Sequence, residues 1–69
     1  MKTVSESYLL GIAEGRELLR QYGPWSRDDM QRMAENLHDL ARQGFAPEMR
    51  DMFKGERDFW RNQLRKAAA

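Results

Sequence analysis

Arg57, Arg61 and Arg65 recur every fourth residue near the C-terminus, with Lys54 in register before them and Lys66 beside them. On a helix this spacing stacks the guanidinium groups into one ridge, and arginine's planar fork suits carboxylates and phosphates better than a lysine point charge does. Phe59 and Trp60 sit among these bases. Large aromatics and arginine dominate protein-binding hot spots because they bury much area at small torsional cost. Glu35-x-x-His38 is the other pattern with chemical content. It matches the i,i+3 carboxylate and imidazole pair of di-iron bundles, although such a site also needs inward glutamates, for which Glu14 or Glu17 would have to turn. A solvated or interface imidazole is the simpler reading of His38.

Nucleophilic catalysis finds little support. Cysteine is absent, and the three serines, Ser5, Ser7 and Ser26, fall in or beside expected helix caps. No catalytic residue, cofactor or metal site is therefore expected, and the chain reads as a binding protein rather than an enzyme. The candidate partner-binding residues are Arg57, Phe59, Arg61 and Arg65 near the C-terminus, with Glu35 and Asp39 earlier in the chain. Net charge is only +1, and Glu56 and Asp58 interrupt the basic ridge, whereas phosphate binding usually wants a larger surplus. Direct DNA contact through the last helix, with Gly44-Phe45-Ala46-Pro47 as the turn of a helix-turn-helix, stays open as an alternative.

Three amphipathic helices position these residues, over about 5–22, 27–43 and 47–66. The chain is thus expected to be all-α, a single domain spanning 1–69 with helix 1 followed by a helical hairpin. Helix 1 opens with Ser5 or Ser7 as N-cap and carries Tyr8, Leu9, Ile12, Leu19 and Tyr22 in one stripe, with Leu18 at its margin. Gly11 and Gly15 share a face of it, and since each costs about 1 kcal/mol against alanine in a helix, two readings stand side by side: another helix backbone comes close there, or the glycines are simply tolerated. Gly23-Pro24 stops the helix, glycine in a left-handed cap and proline unable to continue the ladder.

Ser26 caps helix 2 with Asp29 at N3, and Trp25 before it fits a hydrophobic staple on Met30. Met30, Met33, Leu37 and Leu40 form an a/d seam with Ala34 and Ala41 beside it. Gly44 ends the helix, and Phe45 folds back on Leu40. Pro47 begins helix 3, whose stripe runs Met49, Met52, Phe53, Trp60 and Leu64. That stripe keeps phase across Gly55, so one continuous helix with a kink is the favoured reading. Trp60 lies on the stripe and is assigned to the core, while Phe59 and the arginine ridge face outward.

No apolar run approaches the roughly 20 residues that span a bilayer, and the N-terminus lacks the continuous apolar segment of a signal peptide, so a cytoplasmic protein is expected. A domain of 69 residues without disulfides has a marginal core. A homodimer is expected on that ground, with Gly11, Gly15, Met33, Leu37, Leu40, Phe53 and Trp60 as the dimer or core residues.

Two stretches, SESYLLGIAEGRELL at the start and MFKGERDFWRNQL near the end, carry a resemblance to the small early-region accessory proteins of Mu-like transposable phages. In length and helical layout the chain is similar to the anti-quorum-sensing family in that group. The resemblance implies a compact helical homodimer, made in the host cytoplasm early in infection, that blocks host proteins by contact. It implies as targets a LuxR-type quorum-sensing activator, held off DNA through its DNA-binding domain, and in some members the type IV pilus assembly ATPase. Besides direct DNA binding, a phage structural or assembly subunit is the other alternative.

Overall fold

The computed structural model describes residues 4–43 and 46–68 and contains three helices, α1 (Glu6–Tyr22), α2 (Arg27–Arg42) and α3 (Pro47–Ala68). The domain is all-α, with no strand among the described residues. No described helix is long and apolar enough to cross a membrane. The starts of α1 and α2 are set by serine. Ser5 Oγ accepts from the Tyr8 amide at 3.1 Å, and Ser26 Oγ accepts from the Asp29 amide at 3.0 Å, each satisfying an amide that the helix cannot.

Gly23 differs from the left-handed cap expected of it. Its φ of −67° and ψ of 164° are extended, because the residue before a proline is pushed out of helical space toward extended backbone. The Gly23–Pro24 peptide is cis. The amide of Gly23 still closes the helix on the Leu19 carbonyl at 3.1 Å. At the other helix end, Gln43 donates to the Leu40 carbonyl at 3.2 Å; the caps expected of Gly44 and Phe45 lie outside the described residues. α3 is one helix through Gly55 and runs on to Ala68, two residues beyond the expected end, as lysine and alanine favour helix.

α3 is the axis of the fold. α1 and α2 each pack on it, while their own backbones do not approach one another. α1 runs parallel to α3: Ser5 reaches Asp51, and Gly15 lies on Phe59. α2 runs antiparallel, with His38 opposite Arg57 and the Gln31 region opposite Leu64.

The α1–α3 crossing is made by glycine. A Cβ on Gly11 would stand 1.9 Å from the Met52 carbonyl oxygen and 2.8 Å from the Glu56 amide nitrogen. A Cβ on Gly55 would meet the Tyr8 carbonyl oxygen at 2.0 Å. Gly55 thus serves a close approach from the partner side of the crossing, the role left open for Gly11 and Gly15 alone. This contact turns α1 onto its glycine edge and leaves Leu9, two residues and so about 200° around from Gly11, 52% exposed. Tyr22, the last helical residue, is also exposed. Both were expected in the buried stripe.

On the α2 side, Met30, Ala34, Leu37 and Ala41 are buried, so the centre of the seam is shifted from the expected line and Met33 and Leu40 flank it half-buried. Met30, Ala34, Leu37, Phe59 and Trp60 form one cluster, with Phe53, Leu64 and Trp25 packed against it. Trp60 is fully buried. Its ring centroid lies 4.8 Å from that of Trp25 and 5.2 Å from that of Phe59. Trp25 is half-buried, its ring against Trp60 and its indole N–H donating to the Leu18 carbonyl at 3.3 Å; it ties the α1–α2 connection to the core.

Phe59 overturns its expected outward placement: it is 9% exposed, with its ring against Gly15. The physical reason is the central position of α3. A helix packed on two sides needs two apolar lines. Trp60 and its α2 neighbours supply one, and Phe59 supplies the other toward α1. Gly11, Gly15, Leu37 and Trp60, assigned to the dimer or core, are buried within the chain, and among the described residues the large apolar side chains left exposed are Val4, Leu9, Leu10, Tyr22 and Met49.

Candidate interaction surface

Arg57 stands apart from the rest of its ridge. Its side chain is 17% exposed and bridges Asp58 through two contacts of 3.0 Å, Nε–H and Nη2 both reaching Oδ1. Nη1 donates to His38 Nδ1 at 3.3 Å. Guanidinium has only donors, so this contact requires a lone pair on Nδ1 and places the ring proton on Nε2. The other Asp58 oxygen accepts from the Tyr8 hydroxyl at 2.6 Å. Tyr8, Asp58, Arg57 and His38 therefore form one chain of polar contacts through all three helices. Arg57, expected to contact a partner, is a latch between helices. His38 is committed to the same network, and no group of three metal-ligating side chains occurs among the described residues.

Beside the latch, α2 and α3 enclose an open groove of about 460 Å³. Glu35 and Asp39 line its α2 wall and Arg61 its α3 wall, with Ala34 and Leu64 as apolar floor. Glu35 accepts from Gln31 Nε2 at 3.0 Å, which fixes its carboxylate along the rim. Three of the six expected partner-binding residues, Glu35, Asp39 and Arg61, thus meet at one place and are exposed. Arg65 is exposed but lines a different cleft, between α1 and α3.

Sequence reasoning missed Tyr8 and Asp58 as members of the latch and Ser5 and Asp51 as a second tie, Ser5 Oγ donating to Asp51 Oδ2 at 2.8 Å. Each pair is separated by some fifty residues, and no local pattern marks it.

Two carboxyl groups of α3, Asp58 and Glu56, are shifted in opposite directions. Burial would push the Asp58 carboxyl up, but the hydrogen bonds from Tyr8 and Arg57 and the positive charges of Arg57 and Arg61 outweigh this and hold it below its ordinary 3.8. The same hydrogen bond, with burial and the charge of Asp58, raises the Tyr8 hydroxyl. Glu56 is pushed above its ordinary 4.5 by burial, then by the negative charge of Glu14. A lowered acid binds fewer protons folded than unfolded, so Asp58 contributes stability above pH 3.8 that is lost as pH falls through its folded value. A raised acid binds more protons folded, so Glu56 subtracts stability as pH rises from 4.5 through its folded value. Urea unfolding of Glu56→Gln at neutral pH and near pH 4 checks this. The variant should exceed the parent in stability at neutral pH and lose that advantage in acid, whereas Asp58→Asn should cost most at neutral pH. An equal change at both pH values for Glu56→Gln would contradict the assignment.

No protein-family model matches the chain, and neither curated proteins nor solved structures contain a significant match to it.

Proposed function

We propose that the chain is a non-enzymatic, phage-encoded inhibitor that acts as a homodimer and blocks host proteins by contact. Its principal target on this reading is a LuxR-type quorum-sensing activator, whose DNA-binding surface it covers. As for some proteins it resembles, the type IV pilus assembly ATPase is a second target. The observation that carries the reading is the α2–α3 groove, where Glu35 and Asp39 stand exposed over an apolar floor. A DNA-binding surface is basic, and carboxylates set at a groove rim complement it in sign, which speeds encounter and fixes register. Arg61 on the facing wall can pair with an acid of the target in the same seat.

In a gel-shift assay the chain should abolish the regulator's DNA shift while producing none itself at physiological salt. The double variant Glu35→Lys, Asp39→Lys should stay helical and need at least about tenfold more protein for the same effect, as expected when two complementary charges become repulsive. Pull-down of the pilus ATPase with both forms tests the second target, and light scattering at micromolar concentration should give the mass of two chains. A DNA shift by the chain alone would favour the direct DNA-binding reading instead, and undiminished inhibition by the double variant would remove the groove from the mechanism.

A further inference from the structure

Beyond the Arg61 rim of the α2–α3 groove, α1 and the C-terminal half of α3 enclose a second open cleft of about 640 Å³. Arg16 enters it from α1, and Arg61, Arg65 and Lys66 from α3. All four are exposed, and none makes an ion pair among the described residues, where Arg20 is held by Glu17 and Arg57 by Asp58. One carboxylate, Asp58, lies in the lining. It makes no ion pair with these four bases, its oxygens accepting from the Tyr8 hydroxyl and from Arg57, and of the four only Arg61 is near enough for its charge to act on it.

Favourable interaction with the negative end of the helix accounts for Arg65 and Lys66, which lie in the last turn of α3. It does not account for Arg16 in the middle of α1 or for Arg61 further back. Arg61 and Arg65 at i,i+4 also repel, a small loss to the isolated helix that an anion between them would reverse. Four unpaired cations converge from two helices on one concavity whose wall is apolar at Ile12 and Phe59.

We propose that this cleft is a second binding surface, and that its occupant is an acidic peptide segment with an apolar side chain between its carboxylates. The carboxylates take the guanidinium groups, bidentate geometry favouring arginine, and the apolar side chain lies over Ile12. Nucleic acid fits less well. Phe59 is buried against Gly15, so its face is not available to stack on a base, and stacking is what gives short single-stranded contacts their affinity. Four cations would neutralise few phosphates. This inference is independent of the inhibitor reading, since only Arg61 borders both the cleft and the α2–α3 groove.

The test is fluorescence anisotropy with a fluorescein-labelled peptide of alternating Glu and Leu, beside its Gln-Leu counterpart and a labelled single-stranded oligonucleotide at the same salt. The Glu-Leu peptide should bind with an affinity that falls as salt rises, and the Gln-Leu peptide should not. Arg16→Glu with Arg65→Glu, both exposed positions whose circular dichroism should be unchanged, should weaken the Glu-Leu peptide by at least about tenfold. Glu35→Lys in the other groove should leave it bound. The proposal is overturned if the Glu-Leu peptide fails to bind at low salt, or if the charge-reversed variant binds it as well as the parent does. It is equally overturned if the oligonucleotide binds more tightly than the peptide and is lost in the same variant, which would make the cleft a nucleic-acid site.

Discussion

Gly11→Ala should destabilise the domain by about 3 kcal/mol, the upper end of ordinary overpacking losses, and Gly55→Ala by a similar amount. On an unpartnered helix each change would gain about 1 kcal/mol, since alanine loses less backbone freedom. The crossing reverses the sign. The added methyl at Gly11 would sit 1.9 Å from the Met52 carbonyl oxygen, and that at Gly55 would sit 2.0 Å from the Tyr8 carbonyl oxygen. Both obstacles are backbone of the opposite helix, so no rotamer change relieves them. The helices must separate, and separation breaks the Tyr8–Asp58 and Ser5–Asp51 hydrogen bonds that span the same interface. Gly15→Ala is the internal control. Its methyl would meet Phe59 side-chain atoms, the nearest at 2.5 Å, and a ring can shift where a carbonyl cannot. The expected order of loss is Gly11 and Gly55 together, then Gly15, read as midpoints of urea unfolding followed by helical circular dichroism. A rise in midpoint for Gly11→Ala would mean that the crossing is wider than described.

How much of this was legible in the sequence depends on the range of each interaction. Ser26 could be placed as a cap, and the first cap narrowed to Ser5 or Ser7, because the hydroxyl and the amide it satisfies are three residues apart. The Gly11 and Gly15 pair left close packing and simple tolerance of glycine both open, and the crossing with α3 decides for packing. What could not be read was which helix approached, so the contact that Gly55 makes with α1 from the α3 side has no counterpart in the sequence pattern. Phe59 was misplaced for a related reason. One apolar stripe describes a helix packed on one side, and the neighbouring Phe59 and Trp60 make sense only once α3 is known to be sandwiched. Arg57 shares its four-residue spacing with Arg61 and Arg65, yet it alone is drawn inward by His38 from α2 and by an Asp58 already held by Tyr8 from α1. The adjacent Asp58 can be seen in the sequence, but the Tyr8 and His38 contacts that hold the pair between the helices come from far along the chain and cannot. In the candidate groove, Glu35, Asp39 and Arg61 were identified singly as recognition residues, and the antiparallel pairing of α2 with α3 is what brings them together.

Trp60→Ala should cost about 3–5 kcal/mol, the loss typical of deleting a large buried ring. A small domain has little stability beyond that to lose, so most of the variant should be unfolded. Trp60 has no exposed surface and touches two further aromatics, Trp25 and Phe59. Its removal therefore opens a cavity between α3, α2 and the ring of Trp25. A second substitution separates volume from polarity. The Trp60 indole N–H is buried without a hydrogen-bond partner among the described residues, and a buried unsatisfied donor costs about 1–3 kcal/mol. Trp60→Phe keeps part of the ring volume and removes that donor, so its net loss should be well below that of alanine, about 1–2 kcal/mol. Thermal and urea unfolding by far-ultraviolet circular dichroism should rank the parent first, Trp60→Phe second and Trp60→Ala last. Arg61→Glu, on the exposed rim shared by the groove and the cleft, should unfold with the parent. A fully helical Trp60→Ala that has lost only a binding partner would place this ring at an interface instead of at the centre of the fold.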